Sequence, residues 1–522
     1  MPRTRQLLQV TIAALLGACS SSPGAPGPRG DGPAASELGP GRDGGAGLVD
    51  AIEGPKTTDA GVAGDKGTLD GPSINPRLKV CQNLKPDPAG SATANHKAIT
   101  SCLADVKLAV LAAGDYPISG PINMPASAVL RGADPASRPT LIVQPGSGAN
   151  TVVSFNTSSP ATSKAALEDV KIDVHANLGL YQNAAIVHFA ADNARVKNCD
   201  LFNAQVTPTG KSLAAVYFIS DTSTGGEVRN TRMYNNFYGV IFRGKSAAAS
   251  NLVADSEIYN NKCDPITFAG YGVAEGNKIH DNGWDCENGP IPGGGIYTLT
   301  NAAGGVVRKN IIYNTCGHGM DFDRAANMII EDNEVKSPGY QFGGAAPWCK
   351  GSAGALFNGL RESTIARNVI VNDGGPGNAA KFSGYDVFSA AGAAMYSDLP
   401  QGGNTIVGVI ISEPRSPAGW EGSHNTFTDN QFRAACPSGS GCVGLGYFVS
   451  RGTGYLGTTW SASTTSYFTG NKSFGSNIGS VRCGGNWYAG GSQCPAGAPA
   501  PCNDDDYQHT GNQFHNDNCP YF

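Results

Sequence analysis

The groups best suited to chemistry lie between positions 243 and 324. Asp321 and Asp323 stand two residues apart in Gly319-Met-Asp-Phe-Asp, so on a β-strand they point the same way. Like charges that close raise one pKa, which suits a general acid. Paired carboxylates serve glycoside hydrolysis. They also bind Ca2+, as hard oxygen ligands. A Tyr, a His and a basic residue instead suit β-elimination or C5 epimerisation of a uronic acid. In both reactions a base removes the proton beside a carboxylate that must be neutralised. Tyr297, His318 and Arg243 supply those types. The competing reading of Asp321 and Asp323 is a pair of solvated strand residues.

The elements that must position these groups are short strands, each starting near Gly or Pro. They read Gly239-Val-Ile-Phe-Arg, Pro265-Ile-Thr-Phe-Ala, Gly295-Ile-Tyr-Thr-Leu, Gly319-Met-Asp-Phe-Asp and Ala355-Leu-Phe-Asn-Gly. Alternation places Val240, Phe242, Ile266, Phe268, Ile296, Met320, Phe322 and Leu356 inside. It places Ile241, Arg243, Thr267, Tyr297, Asp321, Asp323 and Phe357 outside. In coils stacked about 4.8 Å apart, Tyr297 and Asp321 become neighbours, with Arg243 and Asp323 in the next column. Asp264 and His318 each lie two residues before an inward anchor and border the same face. The catalytic candidates are therefore Asp264, Tyr297, His318, Asp321 and Asp323. Arg243, Arg324 and Trp284 are candidates for holding substrate, Trp284 by stacking on a sugar ring. The alternative for Trp284 is a residue packed down in a loop fixed by a disulfide from Cys286 to Cys263 or Cys316.

A repeat runs through the same region. Its pattern is apolar, two residues, a small polar residue or Asn, one residue, apolar. It appears as Val196-Lys-Asn-Cys-Asp-Leu201 and Val228-Arg-Asn-Thr-Arg-Met233, and continues to Ile365-Ala-Arg-Asn-Val-Ile370. The closing apolar residues are 32, 25, 21, 33, 23 and 35 apart. Such self-similarity marks a solenoid, with the longer gaps holding inserted loops. Weaker copies near Phe432, Phe474 and Phe514 carry the coil almost to the end of the chain. Stacking would place Asn277, Asn310, Asn333 and Asn368 one above another as an amide ladder. Cys199, Thr231 and Ser256 hold that position earlier, so Cys199 reads as a buried free thiol. Asn203, Asn235, Asn260, Asp281 and Asn314 read as turn formers.

Upstream, Thr93 to Val110 reads as an amphipathic helix running into a strand, with Ala98, Ile99, Leu103 and Val106 on helical spacing. Then follow Val110-Leu-Ala-Ala-Gly-Asp-Tyr116, Pro121-Ile-Asn-Met-Pro125 and Val129-Leu-Arg-Gly132. This order resembles the entry segment of the pectin-lyase-like superfamily. The resemblance implies an all-β, single-stranded right-handed parallel β-helix with an N-terminal capping helix. It also implies an acidic polysaccharide as partner and lyase, epimerase or hydrolase activity. Cys316-Gly-His-Gly-Met320 is similar to the Gly-His-Gly element of polygalacturonase-type hydrolases, with Cys263 standing where their Asp-Asp pair has its first Asp. Asp264-Pro265 resembles the Asp-Pro-His element of alginate C5-epimerases, with Ile266 in place of His. The other reading is a non-catalytic β-helix that binds glycan or serves as a surface spacer.

Composition supports the solenoid. Gly is high at 71 of 522 residues and charged residues are low at 15%, which disfavours helices and suits many tight turns. The net charge of −5 is spread out and no basic patch suggests nucleic acid. Arg3 and Arg5 precede an apolar run to Leu16, then Gly17-Ala-Cys19 and three serines. This is similar to a bacterial lipoprotein signal covering residues 1–18, with Cys19 lipidated; the alternative is secretory cleavage near Ala18. Either route exports the chain. Lipidation would anchor it in the cell envelope, at the outer membrane or cell surface. Residues 19–76 read as a Gly/Pro/Ala/Asp-rich tether and 77–522 as the β-helix, with cap and first coils at 77–132. Cys81 and Cys102 flank the helix and are placed to pair, and a Cys-rich stretch spans 436–522. A monomer is expected, with Ca2+ the metal that the carboxylates would suit.

Overall fold

The computed structural model describes residues 76–144, 151–155, 164–174, 185–205, 213–219, 224–244, 251–283, 294–299, 302–323, 325–336, 353–372, 405–414, 425–434, 441–450, 466–476, 481–483, 486–488, 507–510 and 513–516. Every third strand of the chain joins the same sheet. The result is three sheets of 13 strands each, wound as a parallel coil apart from one antiparallel pair at the end of the third. This is the expected single-stranded parallel β-helix. Among the described residues no helix is long and apolar enough to cross a membrane.

The interior is a stack of aliphatic and aromatic side chains. On the third sheet Phe155, Phe189, Phe218, Phe242 and Phe268 follow one another at ring separations between 4.4 and 5.1 Å. Thr298 takes the next place in this inward column, and Phe322 and Phe357 continue it. The Phe357 register corrects one expectation. Phe357 pairs with Phe322 and faces in, while Leu356 pairs with Asp321 and belongs to the outer column. Gly354, not Ala355, is the counterpart of Gly319, so the alternation starts one residue earlier than the sequence pattern suggested.

From Glu168–Lys171 onward the first and second sheets are joined by a turn of two residues. The first adopts positive φ, as at Asn198, Asn230, Asp255, Gly276, Lys309, Asp332 and Arg367. The second supplies the ladder. Asn277, Asn310, Asn333, Asn368, Asn430 and Asn471 pass amide hydrogen bonds of 2.8–3.0 Å from coil to coil. Each oxygen also takes a backbone N–H of the preceding coil, as Asn333 does from Asn310 at 3.1 Å. Cys199 is free and buried at the head of this row, and burial pushes its thiol up to about 12. A second buried ladder of Asn236, Asn261 and Asn282 lies at the next corner. It follows directly after Asn235, Asn260 and Asp281, whose φ values of 56°, 53° and 54° fit their turn role.

The N-terminal end is closed by the helix Ala92–Val106, capped by Ser91 and ended by Lys107 at φ 58°. Ile99, Cys102 and Leu103 are its buried face. Cys102 bonds to Cys81, as the spacing suggested. Covering the first coil removes a strand edge that would otherwise invite pairing with other chains.

Candidate functional site

The third sheet gathers the candidate residues on three consecutive coils, with strands Ile266–Phe268, Ile296–Thr298 and Met320–Asp323. Tyr297 registers with Thr267 on one side and Asp321 on the other. The same positions continue toward the N-terminus as Ile241, Tyr217 and His188. Asp264, Gly294, His318 and Ala353 occupy equivalent places two residues before the inward anchors Ile266, Ile296, Met320 and Ala355.

Backbone packing explains why glycine stands at the strand starts. A Cβ on Gly294 would meet His318 O at 2.1 Å, and one on Gly295 would meet Gly319 O at 2.0 Å. The coils close tightly here, with Gly295 N–H donating to His318 O at 2.9 Å. Gly294 therefore leaves a place without a side chain between Asp264 and His318, one coil from each. Its N–H donates to Asp264 Oδ1 at 3.4 Å. The Ala353 N–H donates to His318 Nδ1 at 2.9 Å, which leaves the ring's proton on Nε2.

Although these residues point away from the core, they are buried: Tyr297 is 8% exposed, Asp264 8%, Asp321 4% and Asp323 1%. Burial sets their protonation. Desolvation lifts Asp264 to about 7, while Gly294 N–H pulls the other way. Asp321 is raised well above the ordinary carboxylate range, first by burial, then by Asp323 and Asp264. Both Asp321 oxygens lack a hydrogen-bond partner among the described residues. Tyr297 is held in its neutral form by burial and by the three carboxyls. Burial lowers His318 to about 4, so it is a neutral imidazole near pH 7. Thr298, where the Phe stack is broken, accepts the Asp323 N–H on its Oγ1 at 2.9 Å and fixes that strand end.

Asp264, Tyr297, Asp321 and Asp323 thus act on one another, as the alternation implied. His318 borders them and is engaged with the following coil. Arg243 does share the outward column of Asp323, yet it stands three coils away, with its guanidinium carbon 5.5 Å from the centre of the Tyr217 ring. Trp284, Arg324, Cys286 and Cys19 lie outside the described residues. Cys263 and Cys316 are both disulfide-bonded. Among the described residues no three acidic, His or Cys side chains are arranged to hold a metal ion.

Sequence reasoning passed over His188 and Tyr217, whose rings stack at 5.5 Å. The signal was present. Ile186-Val-His-Phe189 and Ala215-Val-Tyr-Phe218 share the pattern of an inward aliphatic, an outward residue and an inward Phe with Ile266-Thr-Phe268.

The family model described as "Right handed beta helix region" matches residues 185–475. No curated protein matches the chain. Among solved structures, the chain is similar to a periplasmic alginate epimerase at 10% identity, covering 77% of this chain and 78% of that one, with a TM-score of 0.43. It is similar to the A-module of an Azotobacter vinelandii mannuronan C-5 epimerase at 12% identity, covering 82% and 97%, with a TM-score of 0.43. A third is the catalytic unit of an α-1,3-glucanase from Streptomyces thermodiastaticus, at 14% identity, 70% and 67% coverage and a TM-score of 0.35. At such identity no residue role is carried over from them.

Proposed function

The chain belongs to the right-handed β-helix family, and we propose that it is a carbohydrate-active enzyme acting on a uronic-acid-containing polysaccharide. The observation that carries this reading is Asp321. It is buried, raised in pKa and without a partner for either oxygen among the described residues, beside Tyr297 and two further carboxyls. A buried polar group left unpaired costs about 1–3 kcal/mol. A strained ionisable group of this kind is a functional candidate.

In this reading Asp321 is the protonated acid. It hydrogen-bonds to, or protonates, a sugar oxygen. Asp264, poised at about 7, takes or returns a proton near neutral pH. Tyr297 O–H and His318 Nε2–H are neutral donors that orient the sugar. Hydrolysis uses the acid at the glycosidic oxygen. Elimination and epimerisation use it to neutralise the uronate while Asp264 accepts the C5 proton. The proposal extends to export and to anchoring in the envelope through a lipid on Cys19, with residues 1–18 as signal and 19–76 as tether.

The test is a panel of alginate, pectate, glucuronan and chondroitin. Unsaturated-product absorbance, reducing ends and proton NMR at C5 separate lyase, hydrolase and epimerase. One of these activities is expected, falling about 10²–10⁴-fold in Asp321→Asn and Asp264→Asn. Full activity in Asp321→Ala and His318→Ala removes the site. Silence on every substrate favours the glycan-binding alternative. Labelling with a fatty acid, lost in Cys19→Ala, checks the anchor.

A further inference from the structure

Six buried side-chain polar atoms lack a hydrogen-bond partner among the described residues, and four of them belong to Arg243, Thr267 and Asp321 on the outer face of the third sheet. Thr267 Oγ1 faces Asp264 and favours its charged form without full hydrogen-bond geometry. Unpaired polar atoms gathered on one face mark where an external partner completes the bonding. Asp321 belongs to the reaction centre. Arg243 does not, because three coils separate them, about 14 Å.

The Arg243 end is built to hold an anion. His188 and Tyr217 stack, and the Arg243 guanidinium lies over the Tyr217 ring, which fixes its plane. Its Nε–H donor is buried and unsatisfied, and among the described residues it forms no ion pair. A guanidinium fixed in this way suits a carboxylate, which it takes in a forked pair of hydrogen bonds. Between it and Asp323 its outward column runs through Ala269 and Leu299, neither of them acidic.

We propose that Arg243, backed by Tyr217 and His188, is a carboxylate subsite that seats a uronate of the bound polysaccharide about three coils N-terminal to Asp321. The inference rests on the reading above that a polysaccharide occupies this face. A gap of about 14 Å exceeds one sugar ring, so the two sites engage different units of one chain. The subsite fixes the direction of the chain and makes the enzyme act within polymers rather than on single sugars.

The test is affinity electrophoresis of the full chain in gels containing alginate or pectate, with dextran and carboxyl-reduced polymer as neutral controls. The Asp321→Asn protein is the parent, so that turnover does not consume the matrix. Retardation by at least one polyuronate is expected, weakened about tenfold or more by Arg243→Gln and partly restored by Arg243→Lys. A single compact band in gels without polysaccharide, displaced in Arg243→Gln only by the lost charge and not in Arg243→Lys, shows that the variants remain folded, and retardation is read relative to that band. Equal retardation of parent and Arg243→Gln overturns the subsite. So does equal retardation by carboxyl-reduced polymer, or none by any polyuronate. If Arg243→Gln loses binding while every activity assay is silent, the subsite stands and the catalytic reading falls. If activity depends on Asp321 but binding ignores Arg243, the reverse holds.

Discussion

Replacing Asp264 by Asn tests whether the site stores strain. The Asp264 carboxyl is buried, and burial raises its pKa from the ordinary 3.8 to about 7. A raised pKa means that the folded state binds the proton more tightly than the unfolded state. Below about pH 3.8 both states are protonated and the group costs nothing. As pH rises toward 7 the unfolded chain loses its proton first, so stability falls. Above about 7 both are ionised and the full penalty applies, roughly 4 kcal/mol. Asparagine cannot ionise, and its amide oxygen can still accept the Gly294 N–H. Asp264→Asn is therefore expected to match the parent in urea denaturation at about pH 4 and to be more stable at about pH 8, by up to ~4 kcal/mol. Activity should fall at the same time, the usual exchange between a strained site and stability. An equal difference between the two proteins at both pH values would refute the reasoning, because it would show that Asp264 ionises freely in the fold.

Other substitutions probe the scaffold. Gly294→Ala drives a Cβ to 2.1 Å from His318 O, and a loss of about 1–3 kcal/mol is expected in thermal melts. Asn333→Ala leaves the Asn310 N–H and amide without their acceptor, for an expected cost of about 2–3 kcal/mol by denaturant titration. Cys199 should resist a thiol reagent in the native protein and react only on unfolding, read as the difference in thiol absorbance between the parent and Cys199→Ser.

Period-2 alternation and a recurring motif made much of this molecule readable. The ladder at Asn277, Asn310, Asn333 and Asn368 was visible because each copy sits at the same offset from two apolar anchors. The ladder at Asn236, Asn261 and Asn282 was not, because only three coils carry Asn there, with Ala204 before them and Thr315 after. Register between Tyr297 and Asp321 followed from alternation alone. The same rule failed at Leu356 because a strand's phase depends on where its first glycine falls. Burial of the outward cluster was not legible, since no local pattern tells how an outward side chain is covered. Arg243 was placed in the right column, but its distance in coils depends on counting every strand between, which sequence spacing blurs.

The two-residue corner between the first and second sheets has a further consequence. From Lys197–Asp200 to Thr469–Lys472 its length never varies, whereas the connections entering the third sheet range from three residues before Tyr238 to 32 before Thr405. Over these coils one edge of the solenoid therefore acts as a fixed spine, and their length variation is spent on the other two. Loops around the reactive face can lengthen, shorten or be exchanged without shifting the coils that carry Asp264 and Asp321. A grafting experiment that alters substrate preference should begin with those connections and leave the asparagine edge untouched.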